Sequence, residues 1–507
     1  MSYLSRTIAL AHGAHPAVSL PAAAQLALPE KVLQFGTGVL LRGLPDYLID
    51  KANRQGLFNG RIVVVKSTDG GDINAFSRQD GLYTLCIRGV EDGRQVEENV
   101  VSSAISRVLS AKSQWAEVLR FAQSPDLQVV ISNTTEVGIQ LVADDVRQSP
   151  PVSFPGKLLA VLYVRWKAFK GDRSKGLVIV PTELLPDNGR KLEAILLELA
   201  HRNELEADFI DWLEAANTCC NSLVDRIVPG RPDVGAYNAL TAELGYDDDL
   251  LTMSEVYRLW AIEGDERVRQ VLSFEQADKG VIIQPDINQF RELKLRMLNG
   301  THTLSCGLAY LSGFETVRGA MDDEVLGQFI SRLMVDDLRP GIPYAIDEAV
   351  ARDFARQVLD RFRNPFIEHR WLAITLNYTA KMQMRNVATL VHYFEQQRQV
   401  PQCAALGFAA YLLFMRATHQ QEHTWYGELN GEQYPIQDEK AGYFADLWQR
   451  LSPAELVSTV LHNQALWSHD LTALPGFAAA VTANLQHMLE EGVYATVARH
   501  LSSEVTA

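Results

Sequence analysis

At 507 residues the chain is too long for one ordinary core, and two domains are expected. Hydrophobic content of 47% and charged content of 21% describe a globular protein with ample core material. The formal charge of -15, from 62 acidic and 47 basic residues, argues against nucleic acid or an anionic membrane as main partner. An acidic small substrate in a local basic pocket stays open. No run approaches the roughly 18 apolar residues of a membrane span. The N-terminus lacks a basic segment followed by a long apolar one, so no signal peptide is read there. The five scattered cysteines, Cys86, Cys219, Cys220, Cys306 and Cys403, read as reduced thiols of a cytoplasmic protein, with Cys219 and Cys220 expected to be buried on a helix.

Residues 1–29 hold Pro16, Pro21 and Pro29, which prevent a long helix, and read as an N-terminal arm. Lys31–Phe35 has strand character and ends at Gly36-Thr37-Gly38, behind which Leu40, Leu41, Leu44 and Leu48 carry helical spacing. Strand, Gly-x-Gly and helix form the context in which a dinucleotide pyrophosphate binds. Leu41 stands where the third glycine of the usual fingerprint would be. A second strand, Arg61–Lys66, completes a βαβ-like unit. The acid expected at its end to bind the ribose of NAD is replaced by Lys66, leaving Asp69 for that role, or Lys66 for a 2′-phosphate. NAD is preferred.

Gln79–Thr84 reads as a turn and strand continuing to Ile87, and further strands are expected at Leu127–Ser132 and Leu177–Val180. Helical stretches around 113–123, 157–169 and 189–202 alternate with them, which predicts a parallel, doubly wound sheet. Ligands bind at the carboxyl ends of such strands, here Asn133-Thr-Thr-Glu136 and Pro181-Thr-Glu183. Glu136 is a candidate acid on the cofactor side, near the base, with a loop carboxylate as the plain alternative. Asp225-Arg226 interrupts an apolar segment and reads as a partly buried ion pair. Gly280–Asp286 looks like a last strand with a proline break, giving domains of 30–286 and 287–507. Beyond 287 no convincing strand appears, and the second domain is expected to be mostly α-helical.

The stretch Lys294–His302 sets an amine, a carboxamide and an imidazole among apolar residues. At about 100° per residue His302 lies about 80° from Lys294 and Asn299 about 140°, so all three share one broad helical face. A possible base, an oxygen-holding donor and an orienting imidazole are what hydride transfer at an alcohol carbon requires. A solvated Lys, a surface Asn and a core His would satisfy the spacing equally well.

The combination of Gly36-x-Gly38-x-x-x-Arg42, Asn221-Ser-x-Val-Asp225-Arg226-Ile and Lys294-x4-Asn299-x2-His302 resembles the mannitol dehydrogenase family of long-chain, metal-independent polyol and uronate dehydrogenases. Arg361-Phe-x-Asn364-Pro365 followed by Lys381 also fits, and the resemblance runs from about residue 30 almost to the end. Gln79-Asp-Gly-Leu-Tyr-Thr84, Ser132-Asn-Thr-Thr-Glu-x-Gly138, Leu298-Asn-Gly-x-His-Thr303 and Asn430-Gly-Glu-x-Tyr-Pro435-x-Gln-Asp438 point to its uronate-reducing branch.

The resemblance implies a Rossmann-like N-terminal domain and a helical C-terminal domain. It makes Lys294 the general acid and base, Asn299 the holder of the reacting oxygen and His302 the residue that orients substrate. Gly36, Gly38 and Arg42 fall to the cofactor, and Asp225 and Lys381 to the substrate. The expected reaction is the NAD(H)-linked reduction of D-tagaturonate to D-altronate, with no metal. Fructuronate reduction, or oxidation of a neutral polyol such as mannitol, are the alternatives within the family, and a nucleotide-sensing module is the alternative outside catalysis. Two departures stand out: Glu183 replaces the family's second oxygen-holding Asn, with Asn188 nearby but looking like a helix cap, and Ala373 replaces an Arg of the polyol oxidisers. A uronate carries a carboxylate that needs cations, and Arg385, four residues from Lys381, is the candidate. Oligomeric state is not read from the sequence.

Overall fold

Short runs of β-branched residues build the central sheet of a computed structural model that describes residues 2–11, 15–67, 73–134 and 138–504. Its strands are Glu30–Phe35 (β1), Arg61–Lys66 (β2), Ile105–Ser110 (β3), Val129–Ser132 (β4), Val178–Pro181 (β5) and Thr218–Cys219 (β6). They lie in the order β3-β2-β1-β4-β5-β6, and every pairing is parallel. Parallel strands are buried on both faces, which is why they read as continuous apolar runs. Val32, Ile62, Val64, Val129, Ile131 and Val180 enter one core cluster, and Leu33, Val63, Val65, Val130 and Ile179 the opposite one. This is a Rossmann sheet with its switch point between β1 and β4.

The sheet belongs to one compact unit, Met1–Gly89 with Gln95–Ile287, and the other unit is Val90–Arg94 with Asn288–Ala507. The described residues before Glu30 are packed into the former rather than standing apart. Leu4, Ala9, Val18 and Leu26 share a core cluster with Leu82, Val101 and Tyr246. Cys219 lies on β6 rather than on a helix, because it continues the edge of the sheet beside Ile179. Burial raises the thiols of both Cys219 and Cys220, the latter to about 12, so neither is a thiolate near neutrality. Asn188 is a buried clamp rather than a plain cap: its amide donates to the carbonyls of Pro181 (3.1 Å), Glu183 (3.0 Å) and Ser222 (3.1 Å).

One buried carboxyl in this unit has a measurable consequence. Asp46, in the first turn of helix Pro45–Arg54, is fully buried, and its Oδ2 accepts from Gln34 Nε2 at 3.4 Å. Burial pushes its pKa up to about 8, with Gln34 and Arg42 only partly opposing. An unfolded Asp titrates near 3.9, so between about 4 and 8 the folded state holds the extra proton and stability falls as pH rises. Asp46→Asn cannot ionise and should lose that slope. Its melting temperature relative to the parent should climb by several degrees from pH 5 to pH 8, as measured by calorimetry. A pH-independent difference would contradict the assignment.

The second unit is mostly helical, but it also holds a meander, His419–Gln421, Thr424–Leu429 and Glu432–Ile436, where no strand was expected. Its hairpin turns on Asn430 (φ 52°) and Gly431 (φ 84°), the paired left-handed geometry that Asn-Gly accommodates best. The strands escaped detection because only Tyr434 and Ile436 of the last one and Gly427 of the middle one are buried. Two long helical rods dominate the rest. One joins Asn288–Glu292, Leu293–Asn299 and Gly300–Leu311, and the other Tyr378–Met382, Gln383–Val387 and Ala388–Gln397. The middle segment of each is a π-helical widening, where hydrogen bonds run to the fifth residue.

Candidate active site

The predicted site residues divide between the units. Gly36, Gly38, Arg42 and Asp225 lie in the sheet unit, and Lys294, Asn299, His302, Lys381 and Arg385 in the helical one. Asp69 and Glu136 fall outside the described residues.

Gly36 follows β1 with φ +126°, a conformation L side chains rarely adopt. A Cβ there would sit 2.8 Å from Leu41 Cδ1 and 2.9 Å from the carbonyl of Asn133, which follows β4. The turn therefore lies at the switch point, and Leu41 fills the place of the missing glycine by packing beneath it. Gly38 precedes helix Val39–Gly43 and faces open space within 4 Å of where its Cβ would be. That cradle suits a pyrophosphate drawn against backbone N–H groups. Arg42 is committed inward. It donates to Thr252 Oγ1 (3.3 and 3.1 Å) and reaches the Thr37 carbonyl (3.5 Å), so it braces the turn. Asp225 ends the buried strand Ser222–Asp225, opposite Leu259 in a separate sheet. Next to it, Arg226 is buried and donates to main-chain carbonyls, with Glu255 O at 2.9 Å.

In the helical unit Lys294 and Asn299 are both part-exposed members of the π segment. The α-helical wheel is thus a wrong local ruler. A turn that closes on the fifth residue brings Asn299 back over Lys294 more nearly than a tighter turn would. The wide turns leave carbonyls that the neighbouring rod satisfies. Arg296 donates to Met384 O (2.9 Å) and Arg385 O (3.1 Å), and Asn386 Nδ2 to Gly300 O (3.1 Å). Thr303 Oγ1 caps Asn299 O at 2.8 Å and receives Arg385 Nη1 at 3.0 Å. The two π segments are cross-braced in this way, which fixes Asn299, His302 and Arg385 relative to each other.

His302 is buried between rings. Phe362 stacks on it at 4.1 Å, while His369 (4.9 Å) and Trp371 (6.0 Å) stand edge-on. Among the described residues its Nε2 has no hydrogen-bond partner, nor has the buried Nε of Arg385. Burial, then His369, Arg361 and Arg385, hold the imidazole well below its usual pKa, so it is neutral. Burial and then Arg385 also lower Lys381, whose Nζ donates to Ile374 O at 2.9 Å. The two charged side chains that help lower His302, Arg361 and Arg385, are cationic. In a chain of formal charge -15 this is a local reversal.

Two family models match the chain, one described as the mannitol dehydrogenase Rossmann domain over residues 30–276 and one as the mannitol dehydrogenase C-terminal domain over 286–489. The chain belongs to the mannitol dehydrogenase family. It is 40% identical over 470 residues to an altronate oxidoreductase of Bacillus subtilis (strain 168), covering 92% of this chain and 94% of that one. It is 38% identical to an altronate oxidoreductase of Yersinia enterocolitica, covering 93% and 97%. Among solved structures it resembles Pseudomonas fluorescens mannitol 2-dehydrogenase in a ternary complex with NAD and D-mannitol. There the TM-score is 0.64 at 23% identity, over 99% of each chain.

Within this mannitol dehydrogenase family member, Glu183 is an acceptor rather than a stand-in donor. It takes hydrogen bonds from Ser132 Oγ (3.0 Å), Thr134 N (2.9 Å) and Thr134 Oγ1 (2.9 Å), and burial raises its pKa. With Asn188 also spent on carbonyls, neither residue offers a second oxygen-holding donor. Phe362, His369 and Trp371 were not singled out from the sequence. Phe362 sat inside the quoted Arg361-Phe-x-Asn364-Pro365 motif, but ring packing on a histidine leaves no periodic signal.

Proposed function

We propose that the protein is an NAD(H)-dependent oxidoreductase interconverting D-tagaturonate and D-altronate. The observation that carries the reading is near full-length similarity to altronate oxidoreductases at 38–40% identity. The cationic setting of His302 supports it, since a uronate brings a carboxylate that a neutral polyol lacks.

When bound, NADH supplies the hydride, and Gly36 and Gly38 are the residues that would admit its pyrophosphate. In reduction Lys294 gives a proton to the ketone oxygen, and in oxidation it takes one from the hydroxyl. Asn299 steadies the reacting oxygen by hydrogen bonding. Neutral His302 orients a substrate hydroxyl through Nε2, the nitrogen with no partner among the described residues. Arg385, whose Nε also lacks a partner among the described residues, takes the carboxylate, and Lys381 assists.

The test is loss of reduced-nicotinamide absorbance with tagaturonate, fructuronate and fructose in parallel, repeated with NADPH. Turnover of tagaturonate with NADH in preference to the others is expected. Preference for fructuronate or fructose would overturn the substrate, and preference for NADPH the cofactor. No turnover of any would overturn the enzyme reading.

A further inference from the structure

We propose that Asp438 is a positioning residue for the Lys381–Arg385 cation pair, delivered to it by the meander of the helical unit. The function assigned to those two cations rests on the reading above. The placement of Asp438 does not.

The helix Tyr378–Met382 begins at Asn377, whose φ of 53° is left-handed and whose side chain makes no capping bond. Its first turn is capped from elsewhere in the chain. Thr379 N donates to Asp438 Oδ2 at 2.6 Å and Thr379 Oγ1 to Oδ1 at 3.0 Å. Asn377 N donates to the adjacent Gln437 carbonyl at 2.9 Å. A carboxylate at a helix start satisfies open N–H groups and meets the positive end of the helix dipole. Lys381 lies two residues beyond Thr379 and Arg385 six, so a slip at this cap would rotate both cations together.

Asp438 and its partner Thr379 are each held by a further contact. Lys440 N donates to Asp438 Oδ1 at 2.8 Å, and Tyr411 Oη lies 2.8 Å from Thr379 Oγ1. Upstream, Tyr434 is buried on Phe414 and donates to its carbonyl at 3.0 Å, which pins the last strand of the meander. The hairpin thus presents Asp438 from a rigid base. A cavity of about 360 Å³, lined by Asn377, Thr379, Gln383, Asp438, Lys440 and Ser468, opens beside the carboxylate. A small carboxylate anion can therefore reach the place of a deleted one.

The experiment compares the full-length protein with Asp438→Ala and Asp438→Asn, each with and without formate. With a ketouronate, Asp438→Ala should raise KM roughly tenfold, the scale of one misplaced charge-assisted hydrogen bond, with NADH binding unchanged. Formate should recover most of that loss, and Asp438→Asn, which keeps one acceptor, should fall between. Added to a variant lacking both cations, Lys381→Ala with Arg385→Met, Asp438→Ala should cost little more. Backbone amides of 378–385 should exchange faster in Asp438→Ala while those of 300–311 keep their protection. An unchanged KM, losses that multiply with removal of both Lys381 and Arg385, or exchange that rises throughout the helical unit would overturn the proposal. If the parent protein turns over no ketouronate, the substrate reading fails, and Asp438 is judged by hydrogen exchange and formate alone. Unchanged exchange at 378–385 then rejects it.

Discussion

Lys294→Ala is expected to lower kcat by roughly 100- to 10,000-fold, the range a positioned acid or base contributes, while leaving NADH affinity unchanged. Lys294 is part-exposed on the π-helical stretch, so truncation removes an amine without opening a core cavity. The rod is held by Arg296, Asn386 and Thr303, none of which depends on Lys294 for the bonds described. Fold and cofactor binding should therefore survive, and the loss should sit in the chemical step. Lys294→Arg should be equally impaired, because a guanidinium keeps its proton throughout the working range and cannot serve as a base. Stopped-flow hydride transfer and NADH fluorescence titration separate the two effects. A variant retaining a tenth or more of the parent rate would remove Lys294 from the mechanism.

The second large effect is expected at Arg385. Arg385→Met keeps the apolar stem but deletes the guanidinium, which donates to Thr303 and carries a buried Nε without a partner. Hydrogen bonds to charged groups contribute about 1.5–3 kcal/mol, so KM for a ketouronate should rise roughly 10- to 150-fold. A neutral ketose has no carboxylate to lose, and its KM should move little. That contrast distinguishes carboxylate recognition from general damage to the rod. If the ketouronate KM is unchanged, Arg385 has no part in binding it.

The Rossmann half was legible because each of its signals is local. Val and Ile runs marked β2, β4 and β5, a short apolar run marked β1, and the Gly-x-Gly after it marked the turn. The third strand, Ile105–Ser110, was missed because Ser106 and Arg107 break its apolar run. Both residues are bound instead to Glu30 on β1, a contact 76 and 77 residues away. The meander was missed for a related reason. Its Asn430-Gly431 turn was visible, but its strands expose so many side chains that no alternation emerged.

Within the candidate site the sequence by itself determined which chemical groups are present and roughly where they recur. An amine, a carboxamide and an imidazole at fixed spacing on one helical stretch need no tertiary information to recognise. Only the tertiary structure decided how that stretch winds, since Arg296 donates from it to carbonyls of the other rod and Asn386 of that rod donates back to Gly300 O. It also decided that His302 is neutral, because rings and cations from distant segments surround it. And it joined Asp438 to the helix of Lys381, because a helix's open N–H groups donate to any suitably placed carboxylate, however far away in the chain.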